Sequence, residues 1–165
     1  MFKRKSSRLE GYDYASSGMY YVTICTKDNR YLFGEVRKGR VWLSEEGRVV
    51  RDCWENIPEH FEHVSIDDFV VMPNHMHGIV VIKNAGARHA SPVRSCSIAS
   101  GSLGAVIGSF KSAATKRVND LRGMPGGEVW HRNYYDHIIR NENDLNRIRE
   151  YIRNNPMNWA HDKYR

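Results

Sequence analysis

Two histidines one residue apart, and a tyrosine and an asparagine four apart, are the side chains in this sequence whose types and spacing could do chemistry. His75 and His77 open the apolar run Gly78–Ile82, directly after the turn pair Pro73-Asn74 and the run Val70–Met72. That pattern predicts two neighbouring strands. Side chains two apart on a strand share a face. Both imidazoles therefore project from one side, where they can chelate one cation. Two ordinary histidines near a strand end are the alternative. Tyr151 and Asn155 fall on a final helix capped by Asn141, with Glu142 and Asp144 in its first turn. Residues four apart on a helix are neighbours, with about 5–6 Å between Cβ atoms. Both flank the apolar stripe Leu145-Ile148-Ile152. A helix docked by that stripe holds them at the edge of its contact with the sheet, where a nucleophile and a further ligand can meet the imidazoles. The competing reading of Tyr151 is a boundary aromatic that packs its ring and wets its hydroxyl.

The remaining elements must position these groups. Met19–Thr26 is β-branched and aromatic, hence a strand. Phe33–Val36 and Val41–Leu43 predict a hairpin turning at Gly39. Ser44 followed by Glu45 and Glu46 is a helix start. Val49, Val50, Cys53, Trp54 and Ile57 give that helix an apolar face, and Pro58 is expected to stop it. Residues 83–101 carry small side chains and little periodicity, so a mobile or functional connection is expected there, with His89 a non-ligand. Ser102 caps a second helix with Leu103, Val106, Ile107, Phe110, Ala114 and Val118 on its apolar face. Val129–Arg140 reads as a fourth core strand with an irregular start. Setting the hairpin and last helix aside leaves β-α-β-β-α-β, an α+β ferredoxin-like split unit. In that topology the strand bearing the His pair lies inside the sheet. One of its faces lies under the two crossover helices and the other is free to carry a site. The fold by itself licenses no function.

Bulk properties narrow the class. At 165 residues the chain fits one domain over 1–165 with a real core. With 27% charged and 41% hydrophobic residues it is globular rather than disordered. The net charge of +6 favours a polyanionic partner. Cys25, Cys53 and Cys96 lie far apart, which argues against a zinc ribbon or a disulfide framework and fits a reducing compartment. No apolar run reaches the length of a membrane span. The basic start Lys3-Arg4-Lys5 lacks a following apolar core, so no signal peptide is expected and a cytoplasmic location is. Residues 1–18, with Lys3, Arg4, Lys5, Arg8, Tyr12 and Tyr14, read as a polar arm, either solvated or laid along phosphates.

Pro73-x-His75-Met76-His77, followed by an apolar strand, resembles the His-hydrophobic-His signature of the HUH single-strand nucleases. Together with Glu150-Tyr151-Ile152-Arg153-Asn154-Asn155-Pro156, it makes the chain similar to the single-tyrosine transposases of bacterial insertion sequences, and most similar to the REP-associated tyrosine transposases. The resemblance spans about residues 15–160. It implies a DNA endonuclease and strand transferase in which Tyr151 attacks a single-stranded DNA phosphodiester, leaving a 5′-phosphotyrosine link and a 3′-hydroxyl. It places His75, His77 and Asn155 as ligands of a divalent ion, Mg²⁺ or Mn²⁺, the latter tolerating imidazole better. Related transposases have Gln where Asn155 stands, an equivalent amide donor. The implied partner is single-stranded DNA carrying a hairpin, such as a REP-like or insertion-sequence end. Contacts are expected from Lys111, Lys116, Arg117, Arg132 and Arg140, with stacking from Tyr134, Trp130 or Trp159. Tyr134 and Tyr135 are rival nucleophiles, taken instead as core or DNA-contacting residues. The protein is expected to act as a monomer or as a helix-swapped homodimer. Two departures stand out: residues 83–101 match no family motif, and the chain stops soon after Trp159, without the longer tail of some members. A domesticated, non-cleaving binder of structured single-stranded DNA or RNA is the alternative function, and a metal phosphodiesterase using water a third.

Overall fold

The structure, a computed structural model, describes Asp13, residues 16–83 and residues 101–165. The arm residues Lys3, Arg4, Lys5, Arg8, Tyr12 and Tyr14, and the 83–101 connection apart from its two ends, with His89 and Cys96, lie outside the described residues.

Strands β1 (Gly18–Cys25), β4 (Val64–Val71), β5 (His75–Ile82) and β6 (Tyr135–Ile139) form one sheet in the order β4-β5-β1-β6. Every neighbouring pair is antiparallel. Hairpin β2 (Gly34–Arg37) and β3 (Arg40–Leu43) stands apart from it. Helices α1 (Glu45–Glu55) and α3 (Leu103–Arg122) are the two crossovers, α2 (Ile57–His60) is a single turn, and α4 (Glu142–Asn154) closes the fold. This is the expected α+β ferredoxin-like unit, with β5 in the sheet interior.

Local chemistry explains the boundaries. The Ser44 hydroxyl accepts from Gly47 N at 3.0 Å, the Ser102 hydroxyl from Ala105 N at 3.3 Å, and Asn141 Oδ1 from Asp144 N at 2.9 Å. Each satisfies an otherwise orphaned first-turn N–H. Two expectations need correction. Pro58 does not stop the first helix. That helix ends at Glu55, and Pro58 sits in the first turn of α2, where its missing N–H costs nothing. The fourth strand is also shorter than expected. Trp130 makes only an isolated bridge to Thr26, and regular pairing begins at Tyr135. Tyr134 therefore precedes the strand, half-buried against the helix-side core.

The sheet's two faces carry separate cores. Tyr20, Val22, Ile24, Met76, Val80 and Ile82 pack with Trp54, Ile107 and Phe110 under α1 and α3. Each such side chain, fully buried, contributes about 1.5–3 kcal/mol. Gly78 belongs to this face, and a Cβ there would stand 2.4 Å from Trp54 Cζ2. The opposite face, expected to be open, is partly covered: Tyr21, Ile79 and Ile139 meet Leu145, Ile148 and Ile152 of α4. The edge strand also holds α4. A register shift between Ile66 and Phe69 brackets Asp67 and Asp68. Arg149 donates to both Asp67 oxygens, at 2.9 and 2.7 Å, and Arg153 pairs with Asp68 at 2.7 Å. Such two-point arginine–carboxylate contacts fix orientation as well as distance. Among the described residues no helix is long and apolar enough to cross a membrane.

Candidate active site

His75 and His77 begin β5 opposite Cys25 and Thr23 of β1, and both are fully buried. Their alternation with Met76 and Gly78 turns both imidazoles to the α4 face, as the spacing predicts. The two Nε2 atoms are 3.1 Å apart. Their other nitrogens are already engaged. Asn74 donates through Nδ2 to the Tyr164 carbonyl at 2.6 Å, which leaves its Oδ1 to accept from His75 Nδ1–H at 2.8 Å. His75 therefore presents a bare Nε2. His77 Nδ1 meets the hydroxyls of Tyr21 at 2.8 Å and Thr23 at 2.9 Å. A hydroxyl both donates and accepts, so His77 keeps a partner at Nδ1 with its proton on either nitrogen. Partners of this kind orient metal-binding imidazoles.

Burial sets the protonation state. It pushes His75 down to about 4, against an opposing pull from the Asp162 carboxylate, and pushes His77 well below its ordinary range with help from His75. Both rings are neutral near pH 7, as ligands must be.

A third donor comes from the tail beyond α4. After the short turn Trp159–His161, Asp162 accepts from Tyr164 N through Oδ1 at 2.7 Å. Its Oδ2 lies buried, without a hydrogen bond, 3.6 Å from His75 Nε2. The ligand atoms of His75, His77 and Asp162 all fall within 4.8 Å of one another. An orphaned buried carboxylate oxygen costs free energy unless a cation or donor meets it. Two imidazole nitrogens 3.1 Å apart also match adjacent positions around one ion with metal–nitrogen bonds of about 2.1 Å. The residues present fit a divalent metal.

Tyr151 and Asn155 reach this place from α4. The Tyr151 ring stands 5.3 Å from His77 and 6.3 Å from Tyr21, with 43% of the residue exposed. Burial of its hydroxyl and the Asp162 charge raise its pKa, while Lys163 and a hydrogen bond with the Asn155 side chain oppose the shift. Asn155 is buried and its Oδ1 has no partner, a second orphaned oxygen at the same helix end. The structure thus gathers His75, His77 and Tyr151 and adds Asp162, which sequence reasoning missed. Its only signal was a carboxylate in a short tail bounded by Trp159 and Tyr164.

The basic residues divide. Lys111, Lys116 and Arg132 line one open groove of about 570 Å³, together with Trp130 and the Gly126-Gly127 backbone. Lys111 donates to the His131 and Arg132 carbonyls, and Lys116 pairs with Asp120. Arg117 turns away to Cys53, in a smaller cavity against α1 and α2. Arg140 is exposed just after β6.

No family model matches this chain. An uncharacterized protein of Haemophilus influenzae is 40% identical over 167 residues, covering 97% of this chain and 92% of that protein. Among solved structures, that of a REP-associated tyrosine transposase bound to a REP hairpin superposes with a TM-score of 0.62 at 17% identity, covering 99% of this chain and 77% of that one. The chain therefore belongs to one family with the Haemophilus influenzae protein, and its fold is that of the REP-associated tyrosine transposase.

Proposed function

We propose that this protein is a metal-dependent transesterase of single-stranded DNA, a transposase-type enzyme that cuts and rejoins strands at hairpin-flanked sites through a 5′-phosphotyrosine intermediate. One observation carries the reading: a phenol stands beside two neutral, buried imidazoles whose Nε2 atoms lie 3.1 Å apart and close to an orphaned carboxylate oxygen. The structural relative's REP hairpin suggests the partner class. The groove bearing Lys111, Lys116 and Arg132 offers phosphate contacts, with Arg117 and Arg140 on other surfaces and Tyr134 next to β6.

His75, His77 and Asp162 would hold the divalent ion, Mn²⁺ or Mg²⁺, with the Asn155 amide oxygen as a further donor. Its charge would neutralise a non-bridging phosphate oxygen. Tyr151 Oη gives up its proton to solvent and forms the bond to phosphorus, the P–O3′ bond breaks, and the 3′-oxygen takes up a proton and leaves as a hydroxyl. Covalent capture preserves the phosphodiester's bond energy for rejoining. Helix α4 supplies alignment, because Asp67–Arg149 and Asp68–Arg153 fix its position over the sheet. Tyr21 and Thr23 hold the His77 ring.

The test is adduct formation on a 3′-labelled hairpin with single-stranded flanks. Wild-type protein with Mn²⁺ should retain label on a denaturing gel, and Tyr151→Phe should not. Binding without any adduct would favour the non-cleaving binder. Cleavage surviving in Tyr151→Phe but lost in His75→Ala would mean that water is the nucleophile.

A further inference from the structure

The C-terminal tail brings a cation to the same site. Lys163 is exposed, and its ammonium sits 4.8 Å from the Tyr164 ring centroid and 5.7 Å from that of Tyr135. Those rings are fixed relative to the imidazoles. Tyr164 lies 5.0 Å from His75 and 5.7 Å from His77, and Tyr135 lies 6.3 Å from Tyr21, which itself packs at 6.3 Å from Tyr151. The ammonium is therefore held at the rim of the site by ring faces, which attract cations without neutralising them. Among the described residues no carboxylate forms an ion pair with it. An accessible, preorganised cation at the rim of a site that holds a nucleophile is suited to an anionic group that gains charge in the transition state.

We propose that Lys163 is a catalytic residue that grips a non-bridging oxygen of the scissile phosphate while Tyr151 attacks. This rests on the transesterase reading above. Lys163 gives up no proton and forms no covalent bond. The Tyr151 Oη–P bond forms, the P–O3′ bond breaks, and the ammonium balances charge on the phosphoryl oxygens throughout. Tyr135 and Tyr164 act as positioning residues for it.

The experiment compares wild type, Lys163→Met and Lys163→Arg by single-turnover adduct formation with Mn²⁺. It uses two hairpin substrates: one with an ordinary scissile phosphodiester, one with a neutral methylphosphonate at that position. Lys163→Met should slow adduct formation about 100-fold on the phosphodiester, as for loss of one transition-state donor. It should slow the methylphosphonate only a few-fold, because the oxygen charge it would meet is gone. Lys163→Arg should keep most of the phosphodiester rate, and hairpin affinity should be nearly equal in all three proteins. Equal slowing on both substrates, or none on either, overturns the Lys163 role while leaving the Tyr151 reading intact. Absence of any adduct with wild type overturns both.

Discussion

Acidification from pH 7 to pH 5 is expected to cost this protein about 2 kcal/mol through His75 alone. Burial holds that imidazole at about 4 in the folded state, against about 6.5 in the unfolded chain. The unfolded state therefore binds the proton first as pH falls, and folding loses free energy between 6.5 and about 4. The whole window corresponds to roughly 3.4 kcal/mol, at about 1.4 kcal/mol per pH unit of difference, and somewhat more than half of it is spent by pH 5. His77 adds loss of the same sign. The carboxylates held low by partners, Asp67 by Arg149 and Asp144 by Arg147 and His137, lose their contribution only below the ordinary carboxylate range. The two windows are thus separable. Urea denaturation at pH 7 and pH 5, in chelator, should show a drop of at least about 2 kcal/mol in wild type. His75→Gln/His77→Gln should lose much less over the same interval. A double variant with the wild-type slope would mean that the imidazoles are not buried neutral groups, and the basis for calling them poised ligands would fail.

Other expectations follow from the same geometry. Asp162→Asn should lower Mn²⁺ affinity at least about tenfold, yet leave the chelator-treated protein as stable or more so, since it relieves an orphaned carboxylate oxygen. In wild type, Mn²⁺ at about 100 times its dissociation constant should add about 2.7 kcal/mol to unfolding stability. A variant destabilised equally with and without metal would contradict this. Gly78→Ala should cost about 2–3 kcal/mol in chemical denaturation, because its Cβ would press on the Trp54 ring; an unchanged midpoint would show that the ring can yield. Asp67→Asn should lower the thermal midpoint and slow adduct formation without weakening hairpin binding. The charge-exchanged pair Asp67→Arg/Arg149→Asp should recover part of both, and no recovery would deny α4 its anchoring role.

What the sequence revealed depended on how local the cause was. Ser44, Ser102 and Asn141 cap helices through bonds to residues three away, so each was legible from its own neighbourhood. The His pair was legible because strand periodicity alone sends His75 and His77 to one face. Asp162 was not, since its approach depends on a non-periodic tail and on the Asn74–Tyr164 bond, which joins residues 90 apart. Lys163 follows from that same tail. The start of β6 misled because Val129 and Trp130 are apolar and buried, yet Trp130 reaches the sheet through a single bridge rather than a ladder. The Tyr151–Asn155 spacing gave a shared helix edge, but only the docked helix distinguishes a half-exposed phenol from a buried amide.

Mapping the covalent link by mass spectrometry tests the central claim most directly. After reaction with the hairpin and Mn²⁺, nuclease trimming and trypsin, nucleotide mass should sit on the peptide Glu150-Tyr151-Ile152-Arg153. Nucleotide on a peptide holding Tyr21, Tyr134, Tyr135 or Tyr164, or a cleaved strand with a free 5′-phosphate and no linked peptide, would contradict it.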